Sequence, residues 1–182
     1  MGKEIRTYRL PIILIGILVS VYAAQAQDSE TEHAKQLLLP FKKDLQTALL
    51  EGMAQGPVNA IDACHLQAPE IANDFAPDIQ VGRTSDRLRN PDNASPDWVR
   101  PILEKYLAST ADREPQIVML DDNRVGYVEP IVLKSLCITC HGKELAPEIA
   151  TRIHELYPDD RAIDYEIGDL RGVFWIDFPA QP

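Results

Sequence analysis

The pentapeptide Cys137-Ile138-Thr139-Cys140-His141 contains the residues of this chain that are best suited to chemistry. Two thiols separated by two residues and followed directly by a histidine form the attachment pattern of a c-type haem. The two sulfurs lie about one turn apart and can reach two vinyl groups on one edge of a porphyrin, while the histidine falls under the iron. The pattern therefore predicts one covalent haem c, attached through Cys137 and Cys140 and ligated by His141.

Two other chemistries fit the same residues. A redox-active disulfide between Cys137 and Cys140 is one, but such a pair normally opens a helix in a βαβ context, which this chain lacks. A zinc site is the other, with Cys64 or His154 as the fourth ligand. A single Cys-x-x-Cys without a second pair is weak support for zinc, so haem remains the favoured interpretation.

An iron held by His141 has a second axial position, and the sequence offers several ligands for it: Cys64, His65, His154, Met53, Met119 and His33. The two methionines are most simply core side chains. Bis-imidazole ligation is common, which favours a histidine. The third cysteine of an exported chain is an odd thiol that needs an explanation, and Cys64 is that residue. The residue types alone leave the choice between Cys64 and its neighbour His65 open.

The first 26 residues have the features of a secretory signal peptide. Lys3, Arg6 and Arg9 form a basic region, an uncharged apolar run follows over residues 10–24, and Ala24-Gln25-Ala26 is a small-x-small cleavage site. The run is shorter than the roughly 20 residues that a membrane span needs. We therefore expect a signal peptide over residues 1–26, a mature domain over residues 27–182, no membrane attachment after cleavage, and a periplasmic location.

The chain carries a formal net charge of −10, which excludes nucleic acid and anionic lipid as natural partners. A redox partner of unknown identity is expected instead, and it would be basic or would dock through an uncharged patch. The hydrophobic periodicity and turn residues predict an α+β fold, with an antiparallel β-sheet flanked by helices and a long N-terminal helix. Helices are predicted over residues 28–53, 57–75, 95–107 and 147–156, the third capped by Ser95. Strands are predicted over residues 79–83, 116–120, 125–133, 162–167 and 172–178, the last two as a hairpin.

Four motifs occur in the order of a known family: Gly82-Arg83-Thr84-Ser85, Arg89-Asn90-Pro91-x-Asn93, Pro96-x-Trp98 and Cys137-x-x-Cys140-His141-Gly142. The chain resembles the single-haem c-type cytochromes that have a PAS-like sensor fold. The resemblance implies a PAS-like haem domain over residues 27–182. It also covers the segment around Cys64, which is similar to the family stretch whose cysteine is an axial ligand. His141 and Cys64 are thus the implied axial pair, with His65 as the alternative.

Arg83, Arg87 and Arg89 form a basic cluster in this acidic chain. A guanidinium fork suits a carboxylate, and with the resemblance this favours Arg83 as a ligand of a haem propionate. The competing interpretation is that these arginines pair with local aspartates at the surface, where such pairs contribute little.

The expected function is a redox role without catalytic residues. A carrier of one electron would keep both axial ligands in both oxidation states. A sensor of redox state or of a diatomic gas would exchange a ligand at Cys64, since an anionic thiolate stabilises ferric iron and is prone to loss on reduction. We identify no acid–base residues of the kind that a peroxidase needs. A zinc- or disulfide-stabilised binding protein is the least favoured alternative.

Overall fold

A long helix and a four-stranded antiparallel sheet form the frame of the molecule. The computed structural model describes residues 12–111 and 113–181, with side chains from residue 28 onward. The helices are α1 (Ile12–Ala54), α2 (Pro57–Asn73), α3 (Arg100–Ala108), α4 (Ile138–His141) and α5 (Pro147–Leu156). The strands are β1 (Gln80–Thr84), β2 (Gln116–Leu120), β3 (Arg124–Val132) and β4 (Leu170–Pro179). The α+β class, the antiparallel sheet and the long N-terminal helix are confirmed.

The predicted signal peptide is only partly within the described residues. Its basic region lies outside them, and the backbone from Ile12 onward belongs to α1. Within the described residues, we find no helix of the length and apolar character that a membrane crossing requires. Cleavage and export stay predictions.

Helices α1 and α2 pack closely as an antiparallel pair because glycine lies at their contact. A Cβ added to Gly52 would come within 2.6 Å of the Ala60 backbone. Gly56, with φ of 118°, makes the turn, and Pro57 opens α2, where its missing N–H costs nothing. The pair supplies one wall of the cavity described below.

The sheet has the order β1-β4-β3-β2 and lies between α1 and α3. Alternation along the strands sends Tyr127 and Ile176 towards Phe41 of α1. Their neighbours on the opposite face, such as Val128, pack against Leu103 of α3. Each face of the sheet is therefore buried under a different helix, because successive side chains of a strand point to opposite faces.

The helix predicted from Ser95 begins later than expected. It starts at Arg100, and Ser95 donates its hydroxyl to the Pro96 carbonyl at 3.1 Å instead of capping a helix. A helix that began at Pro96 would place Pro101 in its interior, where proline removes a backbone hydrogen bond and clashes with the preceding turn. Starting at Arg100 places Pro101 in the first turn, where it is tolerated.

The strand predicted over residues 162–167 is wrong. Asp164 has φ of 62°, which a strand does not allow, and the Tyr165 N–H donates to the His141 carbonyl at 3.0 Å. Strand β4 is already paired on both edges, by β1 and β3, so it has no edge left for a hairpin partner. The segment lies against the Cys-x-x-Cys-His motif instead.

A β-bulge interrupts β4 close to its start. Ile131 pairs with Gly172 and Val132 pairs with Leu170, which leaves Arg171 as the extra residue. Gly172 has φ of 154°, and a Cβ there would lie 2.1 Å from the Thr84 carbonyl oxygen. Only glycine therefore allows β4 to approach the end of β1 at this point, and the bulge redirects Arg171.

We predict that Gly172→Ala lowers the free energy of unfolding by about 2–4 kcal/mol, because it adds backbone strain and a clash with Thr84. Gly168→Ala is the matched control, since Gly168 also has positive φ (93°) but no atom within 4 Å of the added Cβ. Denaturant unfolding of both variants measures the difference. Equal destabilisation would mean that the contact with Thr84 does not constrain this position.

Candidate functional site

One cavity brings together the residues that the sequence predicted to bind haem. It lies between α1, α2, α4 and the adjoining ends of β1, β3 and β4, and it encloses about 1170 Å³ of empty space, including its open mouth. Cys64, Arg83, Cys137, Cys140 and His141 all line it. Most of the remaining wall is apolar, and ligand pockets are typically of this mixed character.

The two motif cysteines are presented by a short helical segment. Cys137 ends the 3-10 turn Ser135–Cys137, and α4 follows immediately with Cys140 near its end. Both are free thiols, as is Cys64. Burial raises the pKa of the Cys140 thiol, while the Arg89 guanidinium acts in the opposite direction. The structure thus places three unpaired thiols on one cavity and forms no disulfide among them.

His141 is oriented by a backbone hydrogen bond. Its Nδ1 lies 2.6 Å from the Ala162 carbonyl oxygen, and since a carbonyl only accepts, Nδ1 carries the proton and Nε2 is left for a metal. Burial, with the nearby positive charges of Arg89 and Arg171, lowers the pKa of His141 to about 2. The imidazole is therefore neutral, which is the form that binds metals.

Arg89 holds the motif against residues 160–162. Its guanidinium donates to the Cys140 carbonyl at 2.6 Å and to the Ala162 carbonyl at 3.2 Å, and it lies 3.1 Å from the Asp160 carboxylate. The side chains of Arg89 and Asp160 are 14% and 7% exposed. Carbonyls at the end of a helix lack intrahelical donors, and Arg89 satisfies that of Cys140. Arg89 is therefore a positioning residue for the motif.

Cys64 and His65 face different surroundings although they are adjacent on α2. Cys64 is half-buried and lines the cavity. His65 is absent from the cavity wall, and its Nδ1 lies 3.0 Å from the hydroxyl of Tyr157, with the two rings edge to face. Successive helical residues point in directions about 100° apart, so one turn of α2 cannot present both side chains equally.

The other axial candidates are dispersed. Met53 also lines the cavity. His33 packs edge to face on Phe178, and His154 is exposed in the last turn of α5. Met119 is 68% exposed, so its interpretation as a core side chain is wrong.

Arg83 and Arg171 bring two further positive charges to the cavity wall. Within the described part of the chain, the Arg83 guanidinium has no hydrogen bond or ion pair with protein groups. Among the described residues, the one hydrogen-bond acceptor of Arg171 is the Arg87 carbonyl, at 3.3 Å. Burial lowers the pKa of Arg171 to about 10, and repulsion by Arg89 and Arg83 adds to this effect. Arg87 itself does not line the cavity: it donates to the Ile163 carbonyl at 2.9 Å and stacks on Tyr165.

Sequence reasoning did not identify Arg171. The available signal was an arginine next to glycine at the start of an otherwise apolar strand, which is a pattern typical of a bulge.

The donors in this cavity fit a haem c. The cavity offers two thiols about one helical turn apart, an imidazole with a free Nε2, a third thiol on its wall, apolar walls and cations for two carboxylates, and such a group could use all of them. By contrast, no group of three or more histidine, cysteine, aspartate or glutamate side chains within the described residues is arranged to hold a bare metal ion. The suggested zinc ligand His154 does not line the cavity.

Comparison with known proteins supports haem binding. The model of the family Tll0287-like: Tll0287 matches residues 19–179. The chain belongs to the Tll0287-like family. The solved structure of the cyanobacterial heme-protein Tll0287 is similar, with a TM-score of 0.51 and 28% sequence identity over 66% of this chain and 74% of that chain. No curated protein matches this chain in sequence.

The Tll0287-like match confirms the resemblance to a haem-protein family that the motifs indicated. It spans every residue predicted for the site, from Cys64 to His141. The description of the fold as PAS-like is not tested by it and stays a prediction.

We predict that Arg89→Met lowers the free energy of unfolding by about 3–5 kcal/mol, because it leaves the Asp160 carboxylate buried without its partner. Arg100→Met is the control: it removes an arginine from an exposed pair with Asp97 and is expected to cause no resolvable change. Chemical denaturation measures both. If the free energy of unfolding falls equally little in both variants, Arg89 does not hold the motif in place.

Proposed function

We propose that this chain is an exported redox protein that binds one covalent haem c. The observation that carries the proposal is the convergence of Cys137, Cys140, His141 and Cys64 on a single cavity with cationic walls. Membership in a family that includes a cyanobacterial heme-protein supports haem binding. The covalent attachment, the axial ligands, the export and the redox role are parts of the proposal.

In this proposal, Cys137 and Cys140 form thioethers with the two vinyl groups, and His141 supplies Nε2 to the iron. The Ala162 carbonyl keeps the proton on Nδ1 and fixes the ring, as partners of metal-bound histidines commonly do. A bound haem supplies one-electron redox chemistry, because its iron cycles between ferric and ferrous states.

Cys64 is the proposed second axial ligand. It lines the cavity wall formed by α2, whereas His65 is engaged with Tyr157. The thiolate would favour the ferric state, and its loss on reduction would open a position for a diatomic gas. Retention of Cys64 in both oxidation states would instead suit a simple electron carrier.

The expected environment and partners follow from charge and targeting. The signal-like N-terminus supports a periplasmic location, where covalent haem attachment takes place. The net charge of −10 favours a basic redox partner over nucleic acid or anionic lipid. That partner is expected to approach the cavity mouth, since electron transfer requires a short distance.

We predict that protein exported from cells able to mature c-type haem carries one covalent haem, and that the variant Cys137→Ala/Cys140→Ala carries none. The reason is that these two sulfurs are the proposed attachment points. Haem content is measured by mass spectrometry and by the pyridine haemochrome spectrum. Wild-type protein without covalent haem under these conditions would overturn the proposed function.

A second prediction separates the axial candidates. Cys64→Ala is expected to abolish ferric thiolate charge-transfer bands, whereas His65→Ala is expected to leave them in place. Absorption spectra of ferric and dithionite-reduced protein, with and without carbon monoxide, measure both effects. A wild-type ferric spectrum without these bands, which changes in His65→Ala but not in Cys64→Ala, would reverse the assignment. Carbon monoxide binding by reduced wild-type protein would favour the sensor, and its absence would favour the carrier.

A further inference from the structure

Arg171 is a half-buried cation in the cavity wall. Its guanidinium donates to the Arg87 carbonyl at 3.3 Å and lies 5.8 Å from the Tyr165 ring centre. Among the described residues it forms no ion pair with a carboxylate. Removing a charge even partly from water is costly when it lacks a partner, and the β-bulge that directs Arg171 towards the cavity is a specific feature of β4. Both facts point to a partner that the protein chain does not supply.

The charged neighbours of Arg171 do not provide that partner. Arg83 and Arg89 repel it, and Asp160 already lies against Arg89. Its other titratable neighbours are the Tyr165 hydroxyl and the His141 imidazole, and neither of them is a carboxylate. This corner of an acidic protein is therefore locally positive. A ligand that carries carboxylates would neutralise it.

A buried hydroxyl at the same place is also without a partner among the described residues. Thr84 is 4% exposed and lines the cavity, and its hydroxyl oxygen has no hydrogen-bond partner among the described residues. It lies at the end of β1, one residue from Arg83 and beside the Gly172 backbone. Buried hydroxyls are normally hydrogen-bonded, so Thr84 and Arg171 indicate one incomplete polar site.

We propose that Arg171, with Arg83 and the Thr84 hydroxyl, binds the carboxylates of the cavity ligand, which are the two propionates of the haem. The inference rests on the proposed function and deepens it by assigning how the group is oriented. Covalent attachment fixes one edge of the porphyrin at Cys137 and Cys140. The arginines hold the carboxylate-bearing edge, and the charge they supply keeps both propionates ionised at neutral pH.

The test compares midpoint potentials of haem-loaded wild type, Arg171→Met and Arg87→Met from pH 5 to pH 8. Arg87→Met is the matched control, because Arg87 contacts the same Tyr165 ring and carries the same charge but does not line the cavity. In Arg171→Met, a propionate without its partner should have a raised pKa and titrate within this range. It is neutral at low pH, and at high pH its negative charge stabilises ferric iron.

The expected result is a potential in Arg171→Met that matches wild type near pH 5 and falls progressively below it towards pH 8. If the pKa of this propionate differed by half a unit between the ferric and ferrous states, its ionisation would change the ferric-to-ferrous ratio at a fixed potential by a factor of about 3. The midpoint potential of Arg87→Met should change with pH in the same way as that of wild type. If the midpoint potential of Arg171→Met also changes with pH as that of wild type does, the proposal is overturned while the haem function stands. Wild type without haem would overturn both.

Arg171→Gln and Arg171→Lys cover the case in which the methionine variant does not accumulate. The same pH-dependent fall in Arg171→Gln supports the proposal. Accumulation of haem-loaded Arg171→Lys alone also supports it, because the positive charge is then the requirement. Failure of all three variants, with Arg87→Met intact, would show a structural role for Arg171 and contradict the proposal.

Discussion

The carbonyl of Ala162 is the acceptor on which the site depends. It receives the Nδ1 proton of His141 and a hydrogen bond from Arg89, and Arg89 in turn holds the Cys140 carbonyl and pairs with Asp160. A single irregular segment thus fixes the ring orientation of the proposed proximal ligand and the position of Cys140, the second proposed attachment cysteine. This explains why residues 162–167 are not a strand: their backbone groups are committed to the motif instead of to a sheet neighbour.

The charge at the cavity is opposite in sign to the net charge of the chain. The protein is acidic, with a net charge of −10, yet Arg83, Arg89 and Arg171 meet at one cavity. Such a concentration of half-buried cations is unfavourable without compensation. Asp160 compensates one of them. The other two are consistent with a ligand that brings two carboxylates, and the apolar remainder of the wall is consistent with a flat, hydrophobic ring.

The hydrophobic pattern predicted most elements well because their local signals agreed with their tertiary surroundings. Helix α5 and strand β2 have the predicted limits, and α2 and β3 differ from prediction only at their ends. Local signals failed where a distant contact decided the outcome. Because of Pro101, α3 begins at Arg100 and not at Pro96. Strand β4 pairs with both β1 and β3, so it has no free edge for a terminal hairpin.

The sequence by itself determined the candidate chemistry of the site, because the spacing of Cys137, Cys140 and His141 is a local property of five residues. It also supplied Cys64 and Arg83 as candidates. Only the tertiary structure decided that Cys64, and not His65, lines the cavity, since rotation about a helix axis depends on what the helix packs against. It alone revealed Arg171, because a β-bulge arises from the registry of two strands far apart in the chain.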